Sequence, residues 1–187
     1  AIYDLQRRGI VQGNDDGTFA PDRHLNRAEL LTLIYRANGK ETRSIYHGCA
    51  KDVPSEAWFS TVVCTAMHNK FVQGYPDRTF RPQQIVNIVE ALKMVLNGME
   101  FTIPDLTQED RLSIDFIGDI TSSAWYAPYL HRSIALGLLP ASFTENNTFN
   151  ASESLTRASA AEILYRALNT EDNFLEDDDA DEEDEVP

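Results

Sequence analysis

Residues 13–21, GNDDGTFAP, return as GYPDRTFRP at residues 74–82, with Gly, Asp, Thr, Phe and Pro matched at a constant offset of 61 residues. The same register continues downstream, where Asn26 falls on Asn87. Similarity at a fixed spacing within one chain is the signature of a repeat protein. These two segments therefore predict tandem copies of one structural unit.

A third copy lies near the C-terminus. Residues 155–159, LTRAS, match 25–29, LNRAE, and residues 164–167, LYRA, match 34–37, IYRA, both at an offset of 130. We therefore assign a first copy to residues 1–39, a second to 49–99 and a third to 116–169, followed by an acidic tail at 170–187.

Each complete copy opens with a short lead that contains an Asp. The lead runs over residues 52–59 in the second copy and over residues 119–126 in the third. The chain starts at Ala1 inside a helix-like pattern, so we interpret the first copy as N-terminally truncated. An export signal would then lie upstream of Ala1.

The remainder of each copy predicts two helices joined by a turn-rich loop. Asn26 and Thr156 are suitable N-caps for helices over residues 27–37 and 157–168. The intervening Gly, Pro, Asn and Asp clusters favour turns. One helix pair cannot bury both of its apolar stripes, so the copies must share a core. The sequence predicts a mainly α-helical fold of three helix-loop-helix units with short extended leads.

The net charge of −14 comes mainly from the tail. Residues 171–185 hold eleven acidic residues and no Lys or Arg, which leaves −3 for the rest of the chain. Such a run is typical of a solvated tail or linker, with cation binding or a basic partner as the alternatives. No nucleic-acid partner is expected, because binding to phosphates requires a cluster of Lys and Arg residues and the excess charge of this chain is acidic. No run approaches the roughly 18 apolar residues of a membrane span.

Motifs of catalysis are absent from the sequence. It has no Gly-x-Ser-x-Gly elbow, no phosphate-binding Gly-rich loop and no His-Glu-x-x-His. Asp16 and Asp77 lack the ligand spacing of an EF-hand loop, so plain turns are expected there. We therefore expect no enzymatic activity, no cofactor and no metal site.

Cys49 and Cys64 are the two cysteines of the chain. A disulfide between them would tie the lead of the second copy to its first helix, and it fits an exported protein. Free thiols are one alternative. A zinc site with His47 and His68 is another, although no paired Cys-x-x-Cys supports it.

Four motifs recur in a fixed order: DVP…AWF at residues 52–59, GIVQG at 9–13, DGTFxP at 16–21 and NRAE at 26–29. Together they resemble the S-layer homology domain over about residues 1–169. The resemblance implies a pseudo-threefold helical spindle. Its grooves between copies would bind a pyruvylated secondary cell-wall polysaccharide and fasten an exported, non-enzymatic protein to the bacterial surface.

The resemblance also implies which residues bind the glycan. An Arg can hold a carboxylate through two hydrogen bonds, a Trp ring can lie against a sugar, and Gly permits close backbone approach. Helix capping, ion pairing and core packing are the structural alternatives for these side chains. The candidates are Gly13, Arg27, Glu29, Trp58, Gly74, Glu90, Trp125 and Arg157.

Some positions depart from the family pattern. Ile88 replaces the motif Arg in the second copy, Ser159 replaces the Glu in the third, and Arg78 and Ala141 replace loop glycines. These departures support a second hypothesis, in which identical copies of the chain assemble into a surface lattice or filament. The residues that could form such contacts, or instead deepen the core, are Ile85, Val86, Ile88 and Val89.

Overall fold

A computed structural model describes residues 1–115, 117, 120–139 and 148–170 of the chain. These residues form seven α-helices and no β-strand. In chain order the helices are α1 Ile2–Arg7, α2 Arg27–Ala37, α3 Ser60–His68, α4 Ile88–Gly98, α5 Gln108–Asp115, α6 Ala127–Ala135 and α7 Arg157–Ala167. The first, second and third copies contribute the pairs α1 and α2, α3 and α4, and α6 and α7.

The second helix of each copy begins at a side-chain cap. The Asn26 side chain accepts a hydrogen bond from the Glu29 amide, and the Glu29 carboxylate accepts one from the Asn26 amide. Asn87 and Glu90 repeat this reciprocal arrangement at α4. At α7, Thr156 caps the helix in the same way but without a carboxylate to reciprocate. Both predicted caps are confirmed, and α7 ends one residue before the predicted boundary.

Three backbone hydrogen bonds form a closed ring just before these second helices. The Leu25 amide donates to the Leu155 carbonyl at 3.0 Å, Leu155 donates to Val86 at 2.8 Å, and Val86 donates to Leu25 at 3.0 Å. The three residues occupy equivalent positions under the sequence offsets of 61 and 130. The ring therefore relates the copies by a pseudo-threefold axis, as the family resemblance implies.

Helix packing follows the same cyclic order. Each second helix packs against the first helix of another copy, α2 on α3, α4 on α6 and α7 on α1, and α2 also contacts α4 and α7. The shared core contains fully buried residues from all three second helices, among them Leu30, Ile34, Leu92, Leu96 and Leu164. No copy could bury these side chains alone, which explains why the units occur together.

The hydrophobic residues near the start of α4 belong mainly to this core. Val86, Ile88 and Val89 are buried, whereas Ile85 is 44% exposed. Their proposed use in contacts between chains is therefore wrong for three of the four residues. Ile88 is an internal packing residue of the second copy, at a position where the first copy buries Arg27.

Asp52 attaches the lead of the second copy to its loop. Its two carboxylate oxygens accept hydrogen bonds from the amides of Phe80 and Arg81, at 2.7 and 2.8 Å. The lead is thereby held without strand pairing. The equivalent Asp119, the loop residue Ala141 and the acidic residues 171–187 lie outside the described part of the chain.

Within the described ranges, helix α5 has no counterpart in the other copies, and the sequence patterns did not predict it. It packs on α6, where Asp110 Oδ1 lies 3.2 Å from His131 Nε2. Among the described residues, no helix has both the length and the apolar character needed to cross a membrane.

Cys49 and Cys64 form a disulfide, which confirms the predicted pairing. The bond joins the lead of the second copy to the middle of α3. His68 stacks on the ring of Tyr46, with the centroids 3.9 Å apart, and neither sulfur is available as a zinc ligand.

Removing this disulfide should destabilise the fold. The bond closes a loop of 15 residues, for which chain entropy predicts a loss of about 3 kcal/mol in the free energy of unfolding. Urea denaturation of the parent with and without reductant would measure this loss of free energy. A Cys49→Ser, Cys64→Ser double variant is the control, because reductant should not change its stability. An unchanged unfolding midpoint after complete reduction, verified by thiol titration, would contradict this expectation.

Candidate functional site

Arg27 reaches from the start of α2 into the loop of the second copy. Its Nε donates to the Phe80 carbonyl at 3.0 Å and its Nη2 to the Gln73 carbonyl at 3.5 Å. The guanidinium carbon also lies 4.7 Å from the centroid of the Phe80 ring, and the residue is only 6% exposed. The predicted ligand-binding Arg therefore also connects the first copy to the second.

Arg157 makes the equivalent connection from the third copy to the first. Its Nε donates to the Phe19 carbonyl at 2.9 Å and its Nη2 to the Gln12 carbonyl at 2.8 Å. Partial burial lowers the pKa of this guanidinium from its ordinary value, although an Arg remains charged at neutral pH. Helix capping is thus not the main structural role of either Arg, because both guanidinium groups donate hydrogen bonds to loop carbonyls of another copy.

Gly13 and Gly74 permit close approach within the loops themselves. A Cβ at Gly74 would lie 2.8 Å from the carbonyl oxygen of Thr79, and one at Gly13 would lie 3.2 Å from that of Thr18. The next residue in each loop donates its amide to this same carbonyl, at 2.7 Å in the first copy and 2.8 Å in the second. A side chain at Gly74 would therefore obstruct loop closure, whereas one at Gly13 would require the loop to shift by a few tenths of an ångström.

The loop aspartates form turns, as expected. The hydroxyl of Thr79 donates to Asp77 and holds the pKa of that carboxyl below its usual value of 3.8, and Thr18 acts in the same way on Asp16. Arg78 takes a positive φ of 67° where the first copy has a Gly. The loop conformation is thus preserved despite the substitution, at some cost in backbone strain.

Four predicted site residues line one cavity where the three copies meet, which we call the second groove. Its volume is about 250 Å³. Trp125, from the lead of the third copy, is 55% exposed at this cavity. Arg27, Gly74 and Glu90 line it with Trp125, and so does Lys93.

Lys93 was missed by the sequence interpretation because no motif contains it. Its Nζ lies 5.5 Å from the centroid of Trp125 and 5.4 Å from that of Tyr129. The available signal was helical periodicity, since Lys93 follows Glu90 by three residues and so shares its helix face.

The other four candidates occupy equivalent positions one copy earlier, and only Trp58 among them lines the cavity described next. Glu29 is paired with Arg23, whose Nη2 lies 3.0 Å from its Oε1. Trp58 is 63% exposed and lines a separate cavity of about 500 Å³, which we call the first groove, together with Arg36. Gly13 and Arg157 do not line this cavity.

The chemistry of the second groove suits an acidic sugar. Both Trp58 and Trp125 are exposed, so core packing is excluded for them. An exposed indole offers a flat apolar face, and cationic side chains beside it attract a carboxylate. Glu90 has one carboxylate oxygen bonded to the Asn87 amide and serves chiefly to cap α4.

Truncating Arg27 should cost substantial stability. Arg27→Ala leaves the Phe80 carbonyl without its charged donor, and we expect the free energy of unfolding to fall by about 2–4 kcal/mol. The control is Arg43→Ala, an exposed site, for which a change within about 0.5 kcal/mol is expected. Urea denaturation would measure the free energy of unfolding of both variants. An equal loss of free energy in the two variants would show that Arg27 does not connect the copies.

Known proteins share the sequence pattern of these copies. The model of the S-layer homology domain matches residues 1–31, 51–87 and 117–161. A surface layer protein of Brevibacillus choshinensis is 35% identical over 100 residues, which is 52% of this chain and 9% of that protein. A surface-layer 125 kDa protein of Lysinibacillus sphaericus is 27% identical over 173 residues, 92% of this chain and 14% of that protein.

A cellulosome-anchoring protein of Acetivibrio thermocellus is 30% identical over 104 residues, 54% of this chain and 23% of that protein. The chain thus spans a small part of the length of these relatives. The three matched segments fall in the three copies that close the hydrogen-bond ring, and the chain belongs to the S-layer homology domain family.

Proposed function

We propose that this chain is a non-catalytic module that anchors a protein to the bacterial cell surface by binding an acidic cell-wall polysaccharide. The observation that carries this proposal is the second groove, where Arg27, Lys93 and the exposed Trp125 line one cavity. Cations beside an aromatic face are complementary to a sugar that bears a carboxylate, such as a pyruvate ketal.

The size of the second groove agrees with a polymer ligand. Its volume of about 250 Å³ lies below the range of about 300–1,000 Å³ that is usual for small-molecule pockets. A groove of this size accommodates part of a polysaccharide that continues along the protein surface. Several copies or several molecules on one wall polymer would raise the overall avidity without new contacts.

The names of the relatives support a location at the outer surface. They include surface layer proteins, a middle cell wall protein and a cellulosome-anchoring protein. The disulfide between Cys49 and Cys64 agrees with an oxidising environment outside the cytoplasm.

Relatives named as enzymes also support an anchoring role. The match to this chain covers only 9% of the length of an amylopullulanase of Thermoanaerobacterium thermosulfurigenes. It covers 15% of the length of an exoglucanase of Acetivibrio thermocellus. A segment that enzymes share with surface layer proteins is best explained as a common attachment module, with the catalysis located elsewhere in the enzymes.

Co-sedimentation with purified cell-wall sacculi tests the proposal. We expect the parent to bind sacculi and to lose binding once the attached polysaccharide is removed chemically. Trp125→Ala should weaken binding by about tenfold or more, because exposed aromatic anchors dominate such contacts. The matched control is Leu112→Ala, an exposed apolar residue on α5. Failure of the folded parent to bind, or equal binding after the polymer is removed, would refute the proposal.

A further inference from the structure

Helix α5 lies outside the segments that match the family. The family model covers residues 51–87 and 117–161, and α5 spans Gln108–Asp115 between them. The helix is nevertheless attached to the module. Its Ile114 side chain is 1% exposed, and Asp110 Oδ1 lies 3.2 Å from Nε2 of His131 on α6. A helix that is not part of the family pattern is thus docked on the third copy.

The C-terminal half of α5 binds the lead of the third copy at one residue. Asp115 Oδ1 accepts a hydrogen bond from the Ser122 amide at 2.6 Å, and Asp115 Oδ2 accepts one from the Ser122 hydroxyl at 3.0 Å. Arg111 Nη1 donates to the Ser122 carbonyl at 3.4 Å. The helix therefore engages all three polar groups of Ser122, and the two bonds to the carboxylate are of the stronger, charge-assisted kind.

Ser122 lies three residues before the exposed indole of the second groove. A turn over residues 121–124, closed by a backbone hydrogen bond of 3.0 Å, connects Ser122 to Trp125. The Trp125 side chain is 55% exposed and makes edge contacts with the rings of Tyr126 and Tyr129. Because core packing does not fix this indole, its position depends on the backbone that carries it, and Ser122 is where that backbone is attached to α5.

The lead of the second copy is held by other means. Ser55 corresponds to Ser122 at the offset of 67, but its hydroxyl donates to the adjacent Glu56 and not to a helix. Residues 38–59, all of them described, contain no helix. The disulfide of the chain instead ties this lead to α3. The two leads that present the exposed indoles are thus secured differently, one by a covalent bond and the other by α5.

We propose that α5 fixes the lead of the third copy, and that Asp115 is a positioning residue that keeps Trp125 preformed at the second groove. The inference rests on the proposed function for the use of the indole, whereas the positioning is a property of the unbound chain. When only a fraction of the molecules has the binding-competent arrangement, the apparent affinity is reduced by that fraction. Loss of the Asp115 contacts lets the lead adopt other arrangements and so weakens binding.

The first test observes Trp125 directly and needs no ligand. The chain has two tryptophans, so Trp58→Phe leaves Trp125 as the single indole reporter, and Trp125→Phe leaves Trp58. In the first background Asp115→Ala should lower the residual fluorescence anisotropy of Trp125, because a released loop moves on the nanosecond timescale and beyond. In the second background the same substitution should leave the anisotropy of Trp58 unchanged. Thermal melting verifies that each variant is folded.

The second test measures binding to purified sacculi by co-sedimentation, with both tryptophans present. Asp115→Ala and Asp115→Asn have the same net charge, but an Asn amide can still accept from the Ser122 amide and donate to the Ser122 hydroxyl. Asp115→Ala should weaken binding about three- to tenfold, as expected if the competent lead falls to about a third to a tenth of the molecules. Asp115→Asn should retain most of the parent's affinity. Glu109→Ala removes an exposed acid from the same helix and should bind as the parent does.

The outcomes separate this inference from the function on which it rests. An unchanged anisotropy of Trp125 in Asp115→Ala, or an equal fall at Trp58, would refute the inference. Equal weakening by the Ala and Asn variants would also refute it, because the hydrogen bonds to Ser122 would then not matter. If Trp125 is released but Asp115→Ala binds sacculi as the parent does, Asp115 has no positioning role in binding. If the folded parent does not bind sacculi, the proposed function fails, and the anisotropy still decides whether α5 holds Trp125.

Discussion

Leu25, Val86 and Leu155 connect the three copies through backbone hydrogen bonds, each of which joins two different copies. A copy on its own would leave these amides and carbonyls to water and would also expose its share of the core, so it gains both pairing and burial only when the three copies close. The ring also fixes the register of the three second helices, because it lies immediately before their caps. The shared core and the positions of the loops both follow from this register.

The second groove is a consequence of that closure. Its walls come from three copies: Arg27 from the first, Gly74 and Lys93 from the second, and Trp125 from the third. Arg27 can reach the loop of the second copy only when the ring holds α2 beside it. Stability and ligand binding are therefore coupled at Arg27, and exposed residues such as Trp125 are better probes of binding than the buried Arg.

The repeat spacing was sufficient to predict much of this fold. Equivalent positions such as Asn26 and Asn87 cap their helices in the same way, since the cap depends on local sequence. Helix α5 could not be found by the same reasoning, because it has no equivalent in another copy. The candidate site was predicted in part. Four motif residues do meet in one cavity, whereas Lys93 belongs to no motif and only its position on the face of α4 brings it there.

Contacts between copies were beyond sequence reasoning, because they join residues far apart in the chain. The carbonyl partners of Arg157 lie more than a hundred residues away, in the loop of the first copy. Burial of Ile88 is another such case, since only the packed structure distinguishes a core residue from an exposed contact surface.

Native-state hydrogen exchange at the amides of Leu25, Val86 and Leu155 tests most directly whether ring closure holds the module together. If the copies depend on one another, all three amides exchange only through global unfolding, and each gives the same free energy of opening as denaturant unfolding does. If one amide exchanges through local opening at a much lower free energy while the other two remain protected, the copies open independently. The ring would then not be the constraint on which the core and the second groove depend.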